Sequence, residues 1–339
     1  MRTANEGGKI ESRPVRRRAL MSLLGSAVIG RPHWALADAP AKIYRVGTLN
    51  ANGPAFGAFE ASLQRGLAAH GYEIGRNLAL ERRGAEGNAD RLPELLREIV
   101  ATNVDVILTF GYEAAFVAKV GTTVPVVVFS AGDPVGTGLV ESLARPGGHL
   151  TGISDVSAEV TPKRMELLKQ FAPALGRVAV LYNAGDLAMR LRYSAAQQGA
   201  RDLGISIQPL GVREPADFEL AIGGMTHDMP DGILMVSDPL TVLHRQKIFD
   251  FARAQRLPAI YEYDFLARDG GLMSYGLDSD ETFDRFTALT SRILHGAKPA
   301  ELPFEQPTLF RFALNMKTAK AIGFAVPPSL LAFADEVIE

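Results

Sequence analysis

No cysteine occurs anywhere in the 339 residues. Disulfides, thiolate metal sites, a cysteine nucleophile and an acylated N-terminal cysteine are therefore excluded. An excess of either charge is also missing: 36 Lys and Arg stand against 38 Asp and Glu, a formal net charge of −2. A broad basic surface for nucleic acid is not expected from that balance. Catalytic signatures are absent as well, with no G-x-S-x-G elbow, no Walker sequence and no H-E-x-x-H pair. The six histidines (His33, His70, His149, His227, His244 and His295) include no two at metal-ligand spacing on one helical face. No metal site and no cofactor are expected from them.

What remains is 47% hydrophobic and 22% charged with a mean hydropathy of +0.06, the profile of a folded globular chain long enough for two lobes. Its N-terminus is a separate piece. Arg2, Lys9, Arg13, Arg16, Arg17, Arg18 and Arg31 face only Glu6 and Glu11 there, and residues 19–30 carry no charge. A bilayer-spanning helix needs about 20 apolar residues, so this run suits a cleavable export signal, with Ala35-Leu36-Ala37 as the cleavage site. Residues 1–37 are read as that signal, cut near Ala37/Asp38, with Arg17-Arg18 fitting either twin-arginine or general secretion. Its removal leaves 29 basic and 36 acidic side chains, a net charge of −7. Without a cysteine to acylate, a free periplasmic protein is expected and not a lipoprotein.

Beyond the leader, β-branched runs alternate with helical stretches, the pattern of parallel sheets built from βαβ units. Strands are predicted over 45–49, 79–83, 104–110, 126–129, 150–153, 178–182, 206–210, 232–236, 259–263 and 272–275. Val104-Asp105-Val106-Ile107-Leu108-Thr109-Phe110 and Pro125-Val126-Val127-Val128-Phe129 are echoed about 130 residues later by Asp231-Gly232-Ile233-Leu234-Met235-Val236 and Pro258-Ala259-Ile260-Tyr261. Two similar α/β lobes follow, with a ligand cleft beyond the carboxyl ends of their strands.

Aromatic and acidic residues collect at those ends. Tyr112, Tyr182, Tyr261, Tyr263 and Tyr275 fall there, with Phe56 and Phe116 in the following segments. Such rings either stack on a planar ligand or seal the lobes. Acidic groups (Glu113, Asp133, Asp186, Asp238, Glu262, Asp264) share these loops, while Lys119, Arg190 and Arg268 come only later. The pattern favours a small neutral or amine-bearing ligand with a planar part over a polyphosphate. The candidate ligand-binding set is Asn50, Phe56, Gly111, Tyr112, Ser130, Asp133, Asn183, Asp238, Tyr261, Tyr263 and Tyr275. Within it, Asp133 either caps a helix or meets a ligand amine, and Asn50 either forms a turn or hydrogen-bonds the ligand. Tyr275-Gly276 and residues 153–155 are the expected crossings between lobes.

Longer blocks carry a resemblance. Gly66-Leu67, Gly71-Tyr72, Gly75-Arg76-Asn77 and Arg91-Leu92-Pro93 open it, followed by Gly132-Asp133-Pro134-Val135 and Gly138-Leu139-Val140-Glu141-Ser142-Leu143-Ala144-Arg145-Pro146-Gly147-Gly148. Tyr261-Glu262-Tyr263, Gly270-Gly271-Leu272-Met273-Ser274-Tyr275-Gly276, Asn315-Met316-Lys317-Thr318-Ala319 and Ala334-Asp335-Glu336-Val337-Ile338 complete it. In this order they resemble the ABC transporter substrate-binding proteins related to the tryptophan-binding component. The resemblance implies a type I periplasmic-binding fold of two Rossmann-like lobes, 42–153 with 277–303 and 154–276 with 304–339, joined by a hinge. It implies a monomer that captures a small molecule and delivers it to an inner-membrane permease, without covalent chemistry. A periplasmic sensor for a membrane receptor, or a doubly wound α/β enzyme using Asp133 or Asp238 as general base, are the alternatives. Two departures stand out. Tyr112-Glu113-Ala114-Ala115 replaces the family's Thr-Pro-Ala-Ala at the expected cleft, and His149 replaces an Asn in a turn.

Overall fold

A computed structural model describes residues 42–53 and 58–339. Residues 1–37, read above as an export signal, and Phe56 lie outside the described residues. The first half is a run of βα units: β1 (Tyr44–Asn50), α1 (Ala58–Ala69), β2 (Leu78–Gly84), α2 (Leu92–Ala101), β3 (Val106–Phe110), α3 (Tyr112–Gly121), β4 (Val126–Phe129) and β5 (Leu150–Gly152). The strands form one parallel sheet in the order β2-β1-β3-β4-β5. Every residue of β3 and β4 is buried, as expected for apolar strands covered on both faces.

The second half repeats the plan with α4 (Ser157–Phe171), β6 (Arg177–Asn183), α5 (Leu187–Asp202), β7 (Ser206–Val212), α6 (Asp217–His227), β8 (Gly232–Met235), α7 (Pro239–Leu243), α8 (Arg245–Ala254), β9 (Ala259–Tyr261), α9 (Asp264–Arg268) and β10 (Met273–Leu277). After α10 (Ser279–Leu294) come β11 (Phe310–Asn315), α11 (Met316–Ile322), α12 (Pro328–Phe333) and β12 (Glu336–Ile338). The second sheet runs β12-β11-β10-β9-β8-β6-β7, with only the β10–β11 pair antiparallel. From β6 to β10 its strand order copies that of the first sheet, the doubly wound 2-1-3-4-5 arrangement whose switch point lies between the first and third strands.

Each sheet has an apolar cluster on both faces. Although α10 follows the second sheet in sequence, Phe283, Phe286 and Leu289 on it join Val46, Leu67 and Phe129 in the first lobe's core. At Gly66 a side chain would meet Thr287 at 2.6 Å, so glycine is what lets α1 and α10 pack this closely. Three segments cross between lobes. Ile153 bridges Glu305, Ser154 N donates to Glu305 O at 2.9 Å, and Asp278 N donates to Leu309 O at 2.9 Å, so the crossings are tied to one another.

Some boundaries differ from the sequence reading. β9 stops at Tyr261, so Tyr263 caps α9 instead of ending a strand. Gly276 lies within β10, one residue before its end, and its Cβ position is 2.0 Å from Glu262 O, so glycine there allows close backbone approach. β11 and β12 carry no strand signal strong enough to have been predicted.

Candidate functional site

The two switch points face each other. The loop after β1 supplies Asn52 and the start of α3 supplies Gly111, while the loop after β8 supplies Ser237 and Asp238. Together they border a cavity of about 50 Å3 that opens to solvent. Phe59, Phe110, Phe129, Met189, Val242 and Tyr263 give it a mainly apolar wall.

The lobes touch around this cavity. Phe59 on α1, which packs on Phe129 of its own lobe at 5.8 Å, meets Phe265 on α9 of the other lobe edge-on, ring centroids 4.9 Å apart. Ser130 Oγ and Tyr263 Oη are 2.8 Å apart. A side chain at Gly111 would meet Pro239 at 3.3 Å. These contacts draw both lobes over the same space.

Beneath the wall lies a buried ionic hub. Arg192 on α5 is 1% exposed and contacts Glu262 at 2.6 Å and Asp155 in the first crossing. Glu262 also pairs with Arg164 on α4 at 3.2 Å, and Ser130 donates to Asp155. Burial works against the Arg192 charge, but Asp155 and Glu262 outweigh it and hold the guanidinium firmly protonated. Burial and the nearby Asp155 carboxylate push the Tyr263 hydroxyl up, so it stays neutral. Ser130 at φ 58° and Val156 at φ 43° flank the hub in the left-handed region, which costs a non-glycine residue about 1–3 kcal/mol.

A second acidic group straddles the lobes. Oxygens of Glu113 on α3, Asp186 capping α5 and Asp238 capping α7 lie within 4.8 Å of one another. Burial, then Asp186 and Asp238, push the Glu113 carboxyl up to about 8. Burial and Asp238 raise Asp186 to about 7. Asp238 is also raised, by burial, against hydrogen bonds from Thr241 and Asn183. Among the described residues this is the group whose oxygens are spaced to hold a hard cation, and their mutual repulsion favours the protonated forms of Glu113 and Asp186.

Of the candidate residues, Gly111, Ser130, Asp238 and Tyr263 line the cavity. Asn183 is buried behind it, donating to Asp238 Oδ2 at 2.8 Å. Asn50 is buried at the end of β1, its amide donating to Arg83 O at 3.3 Å. Tyr112 packs against apolar clusters of both lobes and stacks on Phe116. The others are elsewhere. Asp133 Oδ1 accepts from Val135 N at 3.1 Å and Gly136 N at 2.8 Å, closing its own turn. Tyr261 is sealed in the second lobe's core against Phe249, because burial on β9 takes all three of its residues. Tyr275 stacks on Phe310, and its carbonyl accepts from Arg164 Nε at 2.6 Å. His149 Nε2 lies 3.4 Å from Ala118 O on α3 and does not line the cavity. Asn52, Ser237 and Arg192 were missed. The first two obey the strand-end rule; Arg192 does not, and the expectation of a cation-free cleft is corrected to one whose cation is already neutralised.

Residues 49–338 match the family described as ABC transporter substrate binding protein. A tyrosine-binding protein of Clostridioides difficile is 22% identical over 259 residues, covering 76% of this chain and 74% of that one. Among solved structures, a conserved domain protein of Vibrio cholerae is 26% identical with a TM-score of 0.80, covering 87% of this chain and all of its own. An ABC domain of Streptococcus pneumoniae in complex with L-Trp is 22% identical with a TM-score of 0.79, covering 88% of this chain and 100% of that one.

Proposed function

Because the chain belongs to the ABC transporter substrate-binding protein family, we propose that it is the exported capture component of an importer, and that its cleft takes a small amine-bearing ligand with a planar part, such as an aromatic amino acid. The observation that carries this reading is the cavity between the two switch points, with phenyl and phenol rings from both lobes on its wall. Aromatic walls of this kind favour a flat apolar group by stacking and edge contacts. The Arg192 charge is already matched by Asp155 and Glu262, so a phosphorylated or polyanionic ligand would find no unspent guanidinium there. The tyrosine-binding and L-Trp-complexed relatives support the same class.

Capture proceeds by closure. Ligand bound to one lobe completes its contacts only when the other lobe swings onto it, and the closed state is favoured by that differential affinity. No helix among the described residues is long and apolar enough to cross a membrane, so delivery is assigned to a separate permease. Thermal-shift and calorimetric titration with L-tyrosine, L-tryptophan and ribose 5-phosphate tests the proposal. A ligand at 100 times its Kd stabilises the fold by about 2.7 kcal/mol. Stabilisation by the aromatic amino acids is expected; stabilisation by the sugar phosphate alone would sink the reading.

A further inference from the structure

The cavity holds acceptors that the fold leaves unspent. Ser237 is 1% exposed, lines the cavity, and its Oγ has no hydrogen-bond partner. Asn52 Oδ1, on the opposite lobe, is likewise buried without a partner. Beside Ser237, the Asp238 carboxylate accepts one donor on each oxygen, Thr241 N at 2.8 Å and Asn183 Nδ2 at 2.8 Å. A carboxylate has about four lone-pair sites; these two bonds fill one on each oxygen, and the Leu240 N–H and Thr241 hydroxyl nearby also favour the charged form. A native fold rarely buries polar groups unsatisfied, and each such group calls for an occupant.

The chemistry of that occupant is constrained. An ammonium group has three N–H donors and no acceptor, matching one carboxylate, one hydroxyl and one amide oxygen. A carboxylate in the same place would face Asp238, with Asp186 and Glu113 behind it. Arg192, the cation on the cavity wall, is held by Asp155 and Glu262.

We propose that the ligand's primary ammonium group is seated between Asp238, Ser237 Oγ and Asn52 Oδ1, and that this group is the tie that closes the lobes. The seat is split, since Asn52 follows β1 in the first lobe and Ser237 and Asp238 follow β8 in the second. An amine therefore completes its hydrogen bonds only in the closed state, whereas an apolar ring finds partial cover on either lobe alone. The inference rests on the reading above that the cleft binds a small planar ligand.

Calorimetry with L-tyrosine, tyramine and 3-(4-hydroxyphenyl)propionate, which lacks the amine, tests it on the purified protein. L-tyrosine and tyramine are expected to bind, and the propionate to bind about 100-fold more weakly or worse, since charge-assisted hydrogen bonds are among the stronger kind. Ser237→Ala should weaken both amines about 10-fold and leave the propionate and the melting temperature unmoved, because the hydroxyl serves no protein partner. In small-angle scattering, tyramine should compact the protein and the propionate at equal occupancy should not. Equal affinity for the propionate and L-tyrosine, or unchanged amine binding in Ser237→Ala, overturns the ammonium seat while leaving planar-ligand capture standing. If none of the three binds but a nucleobase such as adenine does, the seat is again overturned alone; if no planar compound binds, both readings fall.

Discussion

The three carboxyls that meet across the cleft make the fold sensitive to pH, and Glu113→Gln isolates the effect. Glu113 holds its proton to about 8, against 4.5 for an unperturbed glutamate. Asp186, Asp238 and Asp90 face it and raise it further after burial, and a hydrogen bond from Asn183 opposes them. Between those two values the folded protein carries a proton that the unfolded chain has released. Its contribution is therefore fully present at low pH and is lost as pH rises, at about 1.4 kcal/mol per pH unit. From pH 5.5 to 7.5 the Glu113 share amounts to about 2.7 kcal/mol. At about 2.1 cal/mol/K of unfolding entropy per residue, a domain of this size converts that loss into about 4 °C of melting temperature. Glutamine has the same shape and no proton to lose. Scanning calorimetry at matched ionic strength should show the wild type falling about 4 °C relative to Glu113→Gln across that interval. Subtracting the variant also removes contributions common to both proteins, among them His244, whose burial lowers its pKa and gives the opposite slope. Parallel curves for the two proteins would refute the reasoning.

Two further outcomes follow from the same contacts. Arg192→Met leaves Asp155 and Glu262 buried without their shared cation, and denaturant unfolding should show a loss of about 3–5 kcal/mol. Phe59→Ala removes a ring that bridges to Phe265 and Phe129, and an aromatic pair worth about 0.5–1.5 kcal/mol should cost the captured ligand roughly 2- to 12-fold in affinity by calorimetry.

Much of the architecture was legible because β-branched runs such as Val126-Val127-Val128 are buried on both faces and need no context to read as strands. β11 was not, since Phe310-Arg311-Phe312-Ala313-Leu314-Asn315 mixes a charge into a strand that pairs antiparallel with β10. At the cleft, the strand-end rule reached Gly111, Ser130, Asp238 and Tyr263, all of which border the cavity. It also picked Tyr261, two residues before Tyr263, because the sequence does not mark where β9 stops. Arg192 was illegible for a different reason. A mid-helix arginine reads as surface charge, and its partners Asp155 and Glu262 lie 37 and 70 residues away.

The hydrogen bonds that tie residues 153–154, 278, 305 and 309 to one another have a mechanical consequence. Three separate connections would let the lobes twist and shear more freely than connections laced together by backbone hydrogen bonds, which must be strained or broken if one segment moves without the others. Opening and closing about the laced crossings is then the relative motion that the contacts resist least, and a distance measured between the lobes would report it. The one tryptophan, Trp34, lies in the segment read from the sequence as an export signal, so a chain without that segment would offer a dark background for an indole or dye placed on each lobe, and so a frame for a ratiometric sensor.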